Sequence, residues 1–141
     1  MKHILTIALA CCLLFAFPNT SVAAQTELTV DEILLMAKVM ELENGCNSDL
    51  CLLYTGSVIL NRRNSKGYPN TVQGVIYDPG EYADWTLRHI PTVKVSGRVM
   101  ALALKLATCG PLDEEIIFQS MHPELGRVKY HIDTEYFATA K

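Results

Sequence analysis

The sequence predicts a single α+β domain, helices first and a small antiparallel sheet last, and three observations carry that reading. Apolar residues recur at three-and-four spacing through the earlier segments. Cap and turn residues bound those segments. The end of the chain holds short β-prone runs separated by His122-Pro123 and Gly126. No internal repeat and no Gly/Ser-rich linker divides the 141 residues, and 50% apolar content suffices for one modest core. With 19% charged residues and a formal net charge of −3, a DNA-coating role is disfavoured.

The chain is expected to open on an export signal, with an uncleaved signal anchor as the alternative. Lys2 and His3 precede a nearly unbroken apolar run from Ile4 to Phe17, and Pro18 ends it. Ser21-Val22-Ala23-Ala24 then offers small residues for a signal-peptidase cut after Ala23 or Ala24. An apolar run of about 14 residues is short for a membrane span, which needs about 20. The expectation is a leader over 1–24 and an exported domain over 25–141. Losing Lys2 takes the net charge from −3 to −4 and leaves Cys46, Cys51 and Cys109 of the five cysteines. Cys46 and Cys51 either close a small disulfide loop or stand as two small packing residues at a helix entrance. His89, His122 and His131 are scattered and no Cys-x-x-Cys occurs, so no metal site is expected.

The first helix is expected from Asp31 to about Glu43. Thr29 and Glu32 have the spacing of a capping box, Ile33, Met36, Ala37 and Met40 form the buried stripe, and Asn44-Gly45 supplies a left-handed stop. A second helix starts at Ser48 and ends near Arg62-Arg63-Asn64. Gly67-Tyr68-Pro69 reads as a turn and Thr71 to Ile76 as a helical turn. Asp78 to about Pro91 reads as a loop, and a third long helix runs from about Thr92 to Thr108, ended by Gly110-Pro111. Glu115 to Gln119 and Arg127 to His131 read as strands, with Tyr136-Phe137 closing the sheet or packing on it.

Chemistry centres on Glu43. Seven residues beyond Met36, it lies about 20° from that residue around the helix, on the apolar side. Partial desolvation there favours the neutral carboxyl, the form that a general acid needs near neutral pH. The alternative is a side chain that frays into solvent. Glu41, two residues earlier, points away and reads as solvated. Tyr77, Tyr82 and Trp85 in the following loop offer flat faces to sugar rings, or fold back as a lid on the core. Arg62, Arg63, Lys66 and Arg127 could meet an anionic polymer, but four cations in an acidic domain read as a solvated surface. Cys109 with a histidine would suit a thiol peptidase, yet no histidine stands in a motif for one.

These residues also carry a resemblance. Ala37-Lys38-Val39-Met40-Glu41-Leu42-Glu43-Asn44-Gly45 resembles the Glu-bearing helix end of the spore-cortex-lytic (SleB/CwlJ-like) cell wall hydrolases. Val58-Ile59-Leu60-Asn61-Arg62, Tyr68-Pro69-Asn70-Thr71-Val72 and Gly74-Val75-Ile76-Tyr77 follow in the same order and spacing. Gly80-Glu81-Tyr82-Ala83 is similar to the family's Gly-Gln-Phe/Tyr loop, with Glu81 where Gln is usual. Ile117-Phe118-Gln119, Gly126, Tyr130 and Tyr136-Phe137 resemble the C-terminal part of clostridial and phage-type members. Leu42 and Asn44 replace the small residues usual beside the Glu, and Cys46 and Cys51 stand outside the pattern.

The resemblance implies a lysozyme-like, lytic-transglycosylase-like domain that cleaves peptidoglycan at the β-1,4 bond between N-acetylmuramic acid and N-acetylglucosamine. It implies Glu43 as catalytic acid/base, with Tyr82, Gln119 and Tyr130 lining the substrate cleft. No cofactor follows from it. The expected partner is the peptidoglycan glycan strand, with no nucleic acid, no membrane after signal cleavage, and a monomeric chain. Cleavage by water would require a second carboxylate, for which Asp78, Glu81 and Asp84 are the candidates. The alternative in another functional class is a non-catalytic wall-binding relative.

Overall fold

The computed structural model describes residues 27–141. The expected leader and its cleavage site lie outside the described residues. Five helices precede three strands: α1 (Val30–Asn44), α2 (Asp49–Asn64), α3 (Val72–Ile76), α4 (Asp84–His89), α5 (Gly97–Cys109), β1 (Phe118–Ser120), β2 (Arg127–Ile132) and β3 (Glu135–Thr139). This is the α+β order that the sequence predicts.

Capping starts the helices where side chains supply the missing acceptors. Thr29 accepts from the Glu32 amide while the Glu32 carboxylate reaches back to the Thr29 amide, completing the capping box of α1. Ser48 and Ser96 cap α2 and α5 through the amides of Cys51 and Val99.

α2 is the central element, buried from Cys51 through Arg62. One side meets α1, α3 and α5 in a core that includes Met36, Met40, Leu52, Ile59, Val72, Ile76 and Leu106. Its other side packs Cys51, Tyr54 and Val58 on Ile116 and Phe137 beside the sheet. Helices press on α2 closely enough to require glycine at Gly56, where a Cβ would run into Leu106 Cδ1 and sit 3.0 Å from Met40 Sδ.

The sheet is antiparallel with order β1-β3-β2, so Tyr136-Phe137 belongs to the middle strand. Gln119 and Tyr130 both oppose Phe137, and Ile132 opposes Glu135. Since side chains alternate along a strand, Gln119, Tyr130, Ile132, Glu135 and Phe137 share the face turned to α2. The β2–β3 turn is tied to the α1–α2 connection. Asp133, at φ 55°, accepts from Ser48 N at 2.9 Å and Ser48 Oγ at 2.6 Å. These bonds hold the Asp133 carboxyl below the usual carboxylate range. Asn47 Nδ2 donates to Asn44 Oδ1 at 2.7 Å, and Asn44 Nδ2 to Thr55 Oγ1 at 2.8 Å, locking the same junction from inside.

The structure departs from the sequence expectations in definite places. Gly45 is right-handed (φ −56°, ψ −24°), because the chain turns on its bond to the Glu41 carbonyl instead of a left-handed cap. The expected loop over 78–91 contains α4, whose N-cap Ala83 makes no side-chain cap bond and so leaves little local signal. α5 starts at Gly97 and not near Thr92, since Ser96 is both its cap and the partner of Glu41 Oε2, at 2.8 Å from Ser96 N and from Ser96 Oγ. Glu41 is therefore bound and not simply solvated. β1 begins only at Phe118, because Asn61 Nδ2 holds the carbonyls of Asp113 and Ile116 at 2.7 Å each and keeps that stretch off the ladder. Cys46, Cys51 and Cys109 are free thiols, Cys46 and Cys109 exposed and Cys51 buried. Burial pushes the Cys51 thiol up to about 11.

Candidate active site

α1 delivers Glu43 to the junction of α2, α4 and the sheet. It sits half-buried on the shoulder of the apolar stripe, while the next residue, Asn44, takes the fully buried position. Thr86 of α4 is buried and donates its hydroxyl to Glu43 Oε1 at 2.6 Å. That short bond occupies one carboxyl oxygen and fixes the rotation of the group.

The loop before α4 adds Glu81 and Tyr82. Arg62, at the end of α2, is buried, which corrects its reading as a solvated cation. Its Nη1 pairs with Glu81 Oε2 at 2.8 Å, its Nε donates to the Ile117 carbonyl at 2.7 Å, and its guanidinium lies 5.6 Å from the Tyr68 ring centre. Burial raises the Tyr82 phenol well above its ordinary range. Arg62 opposes that rise, and the Glu43 and Glu81 charges add to it. Tyr82 thus stands within the electrostatic reach of all three, and its hydroxyl stays protonated at physiological pH.

The sheet closes the other side. Glu135, at the start of β3, is buried at 7% exposure. Its carboxyl is raised above the usual range, chiefly by burial; a hydrogen bond from Gln119 opposes this, and the Glu43 charge adds to it. Gln119 therefore reaches the Glu43 neighbourhood through Glu135.

Of the expected site residues, Tyr82 lies within reach of the Glu43 charge, and Gln119 bonds Glu135, which lies within reach of the same charge. Tyr130 packs at 4.9 Å between ring centres on Tyr54, and its hydroxyl donates to Asp113 Oδ2 at 3.0 Å. Asp113 also pairs with Lys129 Nζ at 2.7 Å, and burial pushes Tyr54 up to about 12, with its hydrogen bond to Tyr130 acting in the same direction. Among the candidate second carboxylates, Glu81 is held by Arg62, Asp84 is exposed in the first turn of α4, and Asp78 is half-buried with its carbonyl accepting from Glu81 N at 3.2 Å. Tyr77 and Trp85 are about half exposed, at 46% and 52%, and Trp85 stacks on His89 at 4.4 Å.

Two participants escape a reading of the sequence alone. Thr86 has no motif around it, and its helix was expected as loop. Glu135 had a signal: with Phe137 inward, strand alternation sends the residue two positions earlier inward too.

Two predictions follow from these contacts. Thr86→Val keeps the shape but removes the bond to Glu43, and any turnover that depends on the Glu43 carboxyl should fall about tenfold, equivalent to about 1.4 kcal/mol. Steady-state kinetics with a melting control check it. Glu135 binds its proton more tightly folded than unfolded, so its contribution to stability is present below the ordinary Glu range and is lost as pH rises through the folded value. Glu135→Gln should therefore melt above wild type at pH 7, and that gain should vanish at pH 3.5, as thermal unfolding at the two pH values can read.

Among the described residues, no group of three or more His, Cys, Asp or Glu could hold a metal ion. None of their helices is long and apolar enough to cross a membrane. The fold is similar to two solved structures. The catalytic domain of the Bacillus cereus SleB protein matches with a TM-score of 0.67 and 21% identity over 81% of this chain and 94% of that one. The catalytic domain of the germination-specific lytic transglycosylase SleB from Bacillus anthracis matches with a TM-score of 0.69 and 20% identity over 81% of this chain and 98% of that one. No curated protein matches the sequence significantly. Residues 51–131 match the family described as Cell Wall Hydrolase, a stretch from the first turn of α2 to the penultimate residue of β2 and more than half of the chain. The chain belongs to the cell wall hydrolase family.

Proposed function

We propose that this protein is an exported peptidoglycan-cleaving enzyme that breaks the β-1,4 bond between N-acetylmuramic acid and N-acetylglucosamine by lytic transglycosylation, with Glu43 as acid/base. The observation that carries the reading is Glu43 itself. Its carboxyl, at the position that the sequence resemblance gives the catalytic Glu, is half-buried and held by the buried Thr86 hydroxyl at 2.6 Å. Protonated Glu43 donates to the departing glycosidic oxygen. As carboxylate, it then takes the proton of the muramyl 6-hydroxyl as that oxygen bonds to the anomeric carbon. Having its nucleophile within the substrate spares this reaction the entropic cost of collecting a second reactant.

Tyr82 and Gln119 line the cleft on either side of Glu43, and Tyr130 extends the sheet wall on which Gln119 stands. The substrate is the glycan strand, the acting species a monomer, and the leader over 1–24 takes the domain to the wall. Digestion of purified peptidoglycan, with products read by mass spectrometry, tests the proposal. Anhydro-muramyl termini are expected. A folded protein that releases no products from several wall types would overturn the enzyme reading and leave the wall-binding one.

A further inference from the structure

The inward face of the sheet carries a carboxylate that the single-Glu mechanism does not use. Glu135 is buried on the strand face turned to the helices, opposite Ile132 and on the same side as Gln119 and Phe137. Its position relative to α1 is set by the adjacent turn, where Asp133 receives both Ser48 bonds and Thr134 Oγ1 accepts from Asn47 Nδ2 at 3.5 Å. The same junction carries Glu43 one turn of chain earlier, and Glu43 and Glu135 feel each other's charge. Glu81 and Asp84 fit a second carboxylate less well, because Glu81 is neutralised by Arg62 and Asp84 faces solvent. Burying an acid beside another acid costs stability. Gln119 bonds Glu135 as an amide, and an amide leaves the charge in place where a cation would quench it.

We propose that Glu135 is a second catalytic carboxylate, and that it gives this cleft a hydrolytic branch alongside transglycosylation. In that branch Glu43 gives its proton to the departing glycosidic oxygen as the bond from that oxygen to the anomeric carbon breaks. A water oxygen bonds to the same carbon, and Glu135 takes the proton that the water loses. The products are a muramyl reducing end and a free 4-hydroxyl on N-acetylglucosamine, with no other reactant consumed. Two carboxylates flanking one glycosidic bond are the general requirement for cleavage by water. Glu135 and the muramyl 6-hydroxyl then compete for one activated carbon, and the product ratio reports the competition.

The proposal rests on the glycan-cleaving reading above, and the product ratio separates the two. Wild-type protein is expected to release both reducing-end and anhydro-muramyl termini, counted by borohydride labelling and mass spectrometry. Glu135→Gln should lower the ratio of reducing to anhydro termini at least tenfold, whatever the total turnover. A wild type that yields anhydro termini alone, or a ratio unchanged in Glu135→Gln, overturns the hydrolytic branch and leaves Glu43 chemistry intact. A folded wild type that yields neither product overturns the glycan-cleaving reading and the branch with it. If Glu135→Gln gives too little product to count, Glu135→Ala with added azide replaces it. A muramyl azide whose yield rises with azide supports the assignment, and anhydro termini without muramyl azide overturn it.

Discussion

Replacing Glu43 with Gln is expected to lower glycan-strand cleavage about a thousandfold, within the usual range for losing a general acid. The amide has the size of the carboxyl and keeps an oxygen to accept from Thr86 Oγ1, now 2.6 Å from Glu43 Oε1. What it loses is the exchangeable proton for the departing oxygen and the capacity to take one back. The change should therefore be confined to turnover. Stability should move by no more than about 0.5 kcal/mol, as for a substitution that disturbs no packing. Co-sedimentation with insoluble peptidoglycan should also be retained, because the change alters no side chain other than that of residue 43. Release of soluble muropeptides, a pelleting assay and a melting curve measured together check all three. Turnover within tenfold of wild type would remove Glu43 from the acid/base role.

How much of this site the sequence discloses depends on whether a residue's role is local. The capping box at Thr29 and Glu32, the span of α2 and the helical turn at Val72–Ile76 were legible because caps and apolar spacing act within a few residues. The helix that carries Glu43 was legible too, though the residue sits half-buried on the shoulder of the stripe while Asn44 takes the buried position. The grip of Thr86 on Glu43 was not, since the partners lie 43 residues apart and α4 has no side-chain cap to announce it. Arg62 was misjudged for a similar reason. A cation at a helix end normally reaches solvent, and only the tertiary placement of Glu81 and the Ile117 carbonyl makes burial affordable here. Glu81, where the sequence resemblance leads one to expect Gln, is not a bare negative charge, because Arg62 balances it at 2.8 Å.

That balance sets the second large effect. Arg62→Met keeps much of the side-chain volume but removes the cation, and it should destabilise the fold by about 3 kcal/mol, the scale of breaking a buried pair from one side. The loss has two sources. The Glu81 carboxylate, whose side chain is 26% exposed, is left without its cation, and the Ile117 carbonyl loses its donor just where β1 begins. Arg62→Lys should recover less than half of that loss. A single ammonium cannot serve a carbonyl through Nε and a carboxylate through Nη1 in the fixed geometry of the guanidinium. Adding Glu81→Gln to Arg62→Met removes the orphaned charge, so the pair should unfold less easily than Arg62→Met alone, the non-additivity expected of residues in direct contact. Urea unfolding of wild type, the two Arg62 single variants, Glu81→Gln and the double variant measures each term. If the double variant is as unstable as the two single losses added together, Arg62 acts through its packing on Tyr68 and its bond to Ile117, and Glu81 owes it nothing.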